Sequence, residues 1–216
     1  MVKISTSILS FCDNDTIDKL NQTDTDYLHI DVMDGCFVKE TAFSIEELKR
    51  INKRTKKPLD VHLMVFDVEK YLEVLKGLKV SFITFHYEVK KNINMIKKIK
   101  KMGIKCGISV KPNTDIKDIF SLLPYLDLVL IMSVEPGYSG QTFLSTTYEK
   151  IKIIKKEIIN NKFNTLISVD GGINDKNAVK CIECGADMLV SNSFILSHND
   201  YQAKISSLRG IKRINL

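Results

Sequence analysis

Short runs of apolar and β-branched residues recur along the chain, at residues 4–9, 27–32, 59–65, 81–86, 105–110, 128–132, 166–169 and 188–190. Between them lie longer stretches with apolar residues every three or four positions and Lys or Glu in the gaps, at 44–53, 68–75, 92–102, 116–122, 147–160, 175–184 and 200–208. The first pattern predicts strands and the second helices, in strict alternation. Such alternation implies parallel strands with helical crossovers, and eight strands in 216 residues is the count at which a parallel sheet closes on itself. The expected fold is α/β, a single (β/α)₈ TIM barrel, with residues 1–216 as one domain. A doubly wound open sheet is the main rival. It more often has about five or six strands and, if it binds a dinucleotide, a G-x-G-x-x-G after the first, whereas here the first strand runs into Ser7-Ile8-Leu9-Ser10.

In a barrel of this kind, chemistry belongs where strands end and the following loops begin. In the second strand, alternation puts His29, Asp31 and Met33 on one side and Leu28, Ile30 and Val32 on the other. His62 and Met64 share a side of the third strand, and Asp170 stands where the seventh runs into Gly171-Gly172. Two imidazoles and two carboxylates suit a borderline divalent ion such as Zn²⁺, Fe²⁺, Mn²⁺ or Co²⁺ better than an all-oxygen Ca²⁺ or Mg²⁺ site. Spacing alone leaves a metal site and a set of hydrogen-bonded structural residues equally open. Three turns after later strands are candidate phosphate cradles: Pro136-Gly137-Tyr138-Ser139-Gly140-Gln141, Gly171-Gly172 and Ser191-Asn192-Ser193. Gly lets the main chain approach an anion closely, and the last two βα loops of barrels commonly bind phosphate. Any one such turn is also ordinary punctuation after a strand.

Composition narrows the partners. Apolar residues at 44% and charged residues at 27% describe a folded, water-soluble protein rather than a disordered or fibrous one. The net charge of +6 is spread over helix faces such as Lys97-Lys98-Ile99-Lys100-Lys101, with no basic arm or aromatic ladder, so no nucleic-acid partner is expected. The odd number of cysteines, five, dispersed behind a strand-like amino terminus, favours reduced thiols and a cytoplasmic location. Cys181 and Cys184 read as the last turn of a helix ending at Gly185, since no second pair completes a zinc site. No apolar run reaches the ~18 to 20 residues of a membrane span, so no membrane partner is expected.

At these same residues the sequence resembles the ribulose-phosphate 3-epimerase family nearly end to end. The matching segments are Ser7-Ile8-Leu9, His29 to Gly35 followed by Phe37-Val38, Asp60 to Val65, Thr84 to Glu88 around His86, Gly107 to Thr114, Met132 through Gln141-Thr142-Phe143, and Val169 to Ile173. The resemblance implies a metal-dependent barrel enzyme of the pentose phosphate pathway. It would interconvert D-ribulose 5-phosphate and D-xylulose 5-phosphate by two-base proton transfer at C3, through an enediolate that a metal stabilises. It further implies that His29, Asp31, His62 and Asp170 bind one divalent ion, Zn²⁺ foremost, and that Asp31 and Asp170 double as the acid/base pair. Ser7, His62, Met33, Met64 and Met132 would meet the reacting end of the substrate. Gly137, Ser139, Gly140, Gln141, Gly171, Gly172, Asn192 and Ser193 would surround its phosphate. A homo-oligomer is expected on the same ground, and His86 belongs to the pattern without an assigned role.

Several positions depart from the family pattern. Cys36, Lys39 and Glu40 replace His, Pro and Asn in the loop after the second strand, Glu135 stands where Asn is usual, and Asn192 replaces Gly, where a tolerance of positive φ would preserve the turn. These changes direct attention to substrate affinity and sugar preference, which keeps a six-carbon ketose phosphate such as allulose 6-phosphate as the alternative substrate. A metal-free phosphate-binding barrel and a non-catalytic sugar-phosphate sensor are the competing classes; the four ligand-type residues and the paired Asp residues weigh against both.

Overall fold

A computed structural model describes residues 1–89 and 92–211. The end of the span expected for the barrel, 212–216, and the two positions preceding the fourth expected strand's helix, 90 and 91, lie outside the described residues. The chain runs β1 (Lys3–Ser7), α1 (Asn14–Asn21), β2 (Tyr27–Asp34), β3 (Thr41–Ala42), α2 (Ile45–Arg54), β4 (Leu59–Met64), α3 (Val68–Leu75), β5 (Val80–His86) and α4 (Asn92–Lys101). It continues through β6 (Lys105–Val110), a 3₁₀ segment (Ile116–Tyr125), β7 (Leu128–Met132), α5 (Thr147–Asn160), β8 (Leu166–Asp170), α6 (Asp175–Cys184), β9 (Met188–Ser191), α7 (Ser193–Leu196) and α8 (Tyr201–Arg209).

Eight strands pair in parallel in the order β1-β2-β4-β5-β6-β7-β8-β9, and β9 pairs back onto β1, closing a (β/α)₈ barrel. The short β3 pairs antiparallel with the end of β2, Met33 opposite Ala42, and extends the mouth. Period-two alternation gives the barrel strands an outward and an inward face. Leu28, Ile30, Val32, Val61, Leu63, Ile83, Phe85, Ile108, Val129 and Ile131 pack outward under the helices. Tyr27, Phe82, Leu128, Leu130 and Met188 pack together inside the barrel. Helix starts are set by capping. Ser44 and Glu47 form a capping box on α2, as do Asn174 and Asn177 on α6, each worth ~1 kcal/mol. Among the described residues no helix is long and apolar enough to cross a membrane.

The eight expected strands are all present; three other elements are additional to the expected set. Helix α1 occupies the stretch after the first strand, where Ile17 and Leu20 are its only large apolar residues, held by Asp13 accepting from the Thr16 N–H at 2.9 Å. β3 and the four-residue α7 are too short to carry a period. The helix expected at 116–122 is 3₁₀ instead. Pro124 lacks an N–H and disfavours α geometry at the residue before it, and the segment closes with a three-residue bond from the Leu126 N–H to the Leu123 carbonyl. The first strand stops at Ser7, two residues before its expected end.

Candidate metal and substrate site

The barrel interior is apolar toward its amino-terminal floor and polar toward the mouth. On β2, His29 and Asp31 point inward, and the parallel register sets Asp31 beside His62 of β4 and Met33 beside Met64. Asp170 ends β8, where the Ser133 hydroxyl donates to the carbonyls of Asp170 and Gly171 at 2.7 and 2.6 Å and pins the strand end to β7's exit. One ligand atom from each of His29, Asp31, His62 and Asp170 falls within 4.8 Å of all the others. Nε2 of His29 and Nδ1 of His62 both face Oδ1 of Asp31, at 3.2 and 3.1 Å, and Oδ2 of Asp170, at 3.8 and 4.0 Å. Ligand atoms bound tetrahedrally at about 2.0–2.1 Å stand about 3.3 Å apart, so this donor set and its spacing fit a first-row divalent ion.

Each member is held by a neighbour behind it. His29 Nδ1 lies 2.8 Å from Oδ2 of Asp60, which also accepts from the Ser5 hydroxyl at 2.8 Å. A metal-binding imidazole commonly has such a partner on its far nitrogen, fixing tautomer and ring orientation. Asp31 Oδ2 accepts from the Ser7 hydroxyl at 2.9 Å, and Ser7 accepts from the Asn192 amide at 3.3 Å. His62 Nε2 faces Nε2 of His86 at 3.0 Å.

These surroundings separate the two carboxylates. For Asp31, burial opposes ionisation but is outweighed by His29 and His62, whose charge and hydrogen bonds hold it well below the usual carboxylate range. Asp170 is pushed up to about 6, first by burial and then by the Asp31 charge. His29 lies well above its ordinary value because Asp31 and Asp60 outweigh the cost of burial. Burial takes His86 down to about 4. Glu88 falls to about 2 despite burial, because His86, Thr114 and the Lys111 N–H all donate to it.

Above the cluster opens a cavity of about 360 Å³. Ser7, Asp31, Met33, Met64, Met132 and Asp170 line its inner end, and Gly137, Ser139, Gly140, Gln141, Gly171, Gly172, Asn192 and Ser193 its outer end. His29 and His62 lie fully buried beneath it. Two glycines at the outer end are sterically required. A Cβ on Gly171, at φ +119°, would stand 2.6 Å from Val134 Cγ2, and one on Gly172, at φ +62°, would stand 2.7 Å from the Gln141 carbonyl oxygen. Gln141 in turn folds its own loop, donating to the carbonyls of Glu135 and Tyr138 at 2.6 and 3.0 Å. Ser10 and Ser139 join the loops after β1 and β7 at 2.7 Å.

The structure thus brings every candidate residue named from the sequence to one cavity or its floor. Asn192 needs no positive φ: its φ is −112°, so the tolerance expected of Asn there is not called upon. Glu135 lines the cavity, and the Glu40 carboxylate approaches the rim at Gly137, 2.9 Å from where a Cβ would stand. The loop after β2 closes through Asp34, which accepts from the Cys36 and Phe37 N–H groups at 2.8 Å. Asp60, Ser5 and Glu88 were not singled out from the sequence. Alternation carried the signal for two of them, since Asp60 shares a strand face with His62 and Ser5 with Ser7, whereas Glu88 lies in the turn after β5.

Comparison with known proteins identifies the family. The profile of the ribulose-phosphate 3 epimerase family matches residues 3–196. A ribulose-phosphate 3-epimerase of Methanocaldococcus jannaschii is 37% identical over 214 residues, covering 97% of this chain and 90% of the relative. One of Aquifex aeolicus is 34% identical over 215 residues, covering 98% and 97%. Among solved structures, 3-hexulose-6-phosphate synthase from Salmonella typhimurium superposes with a TM-score of 0.69 at 14% identity, covering 97% of this chain and 98% of that one, a likeness of fold alone. With a whole-length relative above 30% identity and a family profile spanning nearly the entire barrel, the chain belongs to the ribulose-phosphate 3-epimerase family.

Proposed function

We propose that the protein interconverts D-ribulose 5-phosphate and D-xylulose 5-phosphate by moving a proton on and off C3, with Asp31 and Asp170 as the two acid/base groups. The observation that carries this reading is the pair itself. Two carboxylates, from β2 and β8, share one cluster at the barrel mouth. Epimerisation needs one ionised group to take a proton and one protonated group to return a proton to the opposite face. Which Asp plays which part alternates with the direction of reaction.

His29, Asp31, His62 and Asp170 would hold the divalent ion, Zn²⁺ in this proposal, with Fe²⁺, Mn²⁺ or Co²⁺ able to use the same donors. When bound, such an ion supplies Lewis-acid stabilisation of the negative charge that develops beside the ketone, worth several kcal/mol. The chain's own residues do the rest. Met33, Met64 and Met132, all buried, exclude water from the reacting carbon. The Ser7 hydroxyl keeps Asp31 aligned. The phosphate would rest against backbone N–H groups of the Gly171-Gly172 turn and the opening turn of α7, with Gly137, Ser139, Gly140, Gln141 and Ser193 around it. A cytoplasmic homo-oligomer, each chain one domain, completes the reading; the five free cysteines support the compartment, and light scattering in solution tests the assembly.

The test is C3 proton exchange from D-ribulose 5-phosphate in deuterated water, before and after chelation and metal return. Exchange with xylulose 5-phosphate formation, lost on chelation and regained with Zn²⁺, is the expected result. No turnover by the folded, metal-loaded protein sinks the five-carbon reading, and turnover of allulose 6-phosphate in the same assay replaces it.

A further inference from the structure

The far nitrogen of His29 meets a carboxylate directly, but that of His62 meets a second imidazole. His62 Nε2 lies 3.0 Å from His86 Nε2, and His86 Nδ1 lies 3.1 Å from Oε2 of Glu88. Both rings are fully buried, and Phe37 covers His86 with ring centroids 4.6 Å apart. The other oxygen of Glu88 accepts from the Lys111 N–H at 2.9 Å and from the Thr114 hydroxyl. That loop is tied down from α5, where the Lys150 ammonium donates to the carbonyls of Lys111, Pro112 and Thr114 at 3.0, 2.6 and 2.6 Å.

Proton counting gives this path a direction. A neutral imidazole has one N–H and one lone pair, whereas a carboxylate only accepts. His86 Nδ1 therefore donates to Glu88, which leaves His86 Nε2 as a lone pair. His62 Nε2 must then donate to it, and the remaining lone pair of His62 sits on Nδ1, the atom that faces the cluster. There it confronts another acceptor, Asp31 Oδ1, at 3.1 Å. Two acceptors at that distance repel unless a cation lies between them: without a metal, a proton held there makes the His62–Asp31 hydrogen bond, and a divalent ion would take its place.

We infer that Glu88, acting through His86, sets the tautomer of His62 and aims its Nδ1 lone pair at the divalent ion, so that His86 and Glu88 are positioning residues for metal binding. The inference rests on the reading of His62 as a ligand. His29 reaches the same end in one step through Asp60 but presents the opposite nitrogen, so the two imidazoles need separate anchors and cannot substitute for one another.

The experiment is a Co²⁺ titration of the metal-stripped full chain, followed by visible absorption, on the wild type and on His86→Leu, His86→Gln and Glu88→Ala. It is paired with ¹⁵N–¹H long-range spectra of the Zn²⁺-loaded wild type. Loss of the relay is expected to weaken Co²⁺ binding ~10- to 100-fold in His86→Leu and ~10-fold in Glu88→Ala, the usual range for a lost outer partner. His86→Gln, whose amide oxygen accepts from His62 Nε2–H, should recover to within about threefold of wild type, a rescue that a merely structural role would not give. The spectra should place the proton of His62 on Nε2 and that of His86 on Nδ1. A wild type that binds no Co²⁺ overturns the ligand reading and the relay together. A wild type that binds while the folded His86→Leu binds equally well overturns the relay alone. A His86 protonated on Nε2 also overturns it, on wild-type protein and independently of whether any variant folds.

Discussion

The cavity has two ends built on different principles. At the inner end, His29, Asp31, His62 and Asp170 project from strands, and the first three are buried and fixed by side-chain partners in the barrel interior. At the outer end, glycine turns and short helix starts present main chain, and Glu135, Ser139 and Gly140 are exposed. The departures from the family pattern follow the same division. Cys36, Lys39, Glu40, Glu135 and Asn192, the positions at which the sequence is expected to depart, all lie outside the barrel strands. On the proposed reading, chemistry would reside on the strands and discrimination on the loops, so damage at the inner end should appear in turnover and metal binding, and damage at the outer end in KM.

The largest effect should come from the proposed acid/base pair. Asp31→Asn or Asp170→Asn should lower turnover at least ~10²-fold, the usual contribution of a positioned acid or base. Proton exchange at C3, measured on variants shown by metal analysis to be fully loaded, checks this, and near-normal turnover would remove the residue from the mechanism. Metal binding itself should depend steeply on pH. Burial and the Asp31 charge push Asp170 up to about 6, and Asp31 and Asp60 hold His29 above its ordinary value, so towards low pH both should carry protons that an entering ion must displace. Affinity should therefore fall as pH falls, by about tenfold per pH unit for each proton displaced. Zn²⁺ competition with a chromophoric chelator between pH 5 and 8, a range chosen about the value near 6, reads the slope; a flat profile contradicts the proposed proton competition.

The same division explains what could be read from the amino acids alone. Strand alternation placed His29, Asp31 and His62 inside the barrel because a period of two is independent of what the neighbouring chain does. It carried Asp60 as well, but nothing in a lone strand says that an inward Asp will meet the far nitrogen of an imidazole one strand away; register supplies that, as with His29 opposite Asp60, while Glu88 lies in the turn after β5, beyond the reach of alternation. Helix α1 escaped detection because two apolar residues in a stretch rich in Asp, Asn and Thr make no periodic stripe, although its Asp13 cap was present. At the rim, residue type revealed glycine but not its φ. The −112° of Asn192 depends on how α7 begins, a property of the assembled loop rather than of the residue.

The rim should respond through binding. Gly172→Ala forces a Cβ to within 2.7 Å of the Gln141 carbonyl oxygen at a φ of +62°, so the turn must shift. Strain of this kind costs ~1–3 kcal/mol. If that turn cradles the phosphate and the strain falls on binding, KM should rise ~5- to 160-fold while kcat changes little. An equal fall in kcat with KM unchanged would instead couple the turn to the chemistry at the inner end and erase the distinction between the two.

The smallest effect, and the one that sharpens the comparison most, should come from Glu135→Asn. Glu135 is an exposed carboxylate lining the cavity wall, where the substrate's dianionic phosphate would approach. Repulsion between exposed charges is weak in water and screened within about 8–10 Å at physiological salt, so removing this carboxylate should strengthen binding by no more than ~1 kcal/mol, up to about a fivefold fall in KM. The gain should shrink as salt is added, because screening already does to the wild type what the substitution does to the variant. Steady-state kinetics on wild type and variant at low and high salt separate this from a change in loop shape, which would persist at high salt. A change in kcat with no change in KM would place Glu135 in contact with the inner end, against the division of the cavity into a strand-borne reacting floor and a loop-borne binding rim.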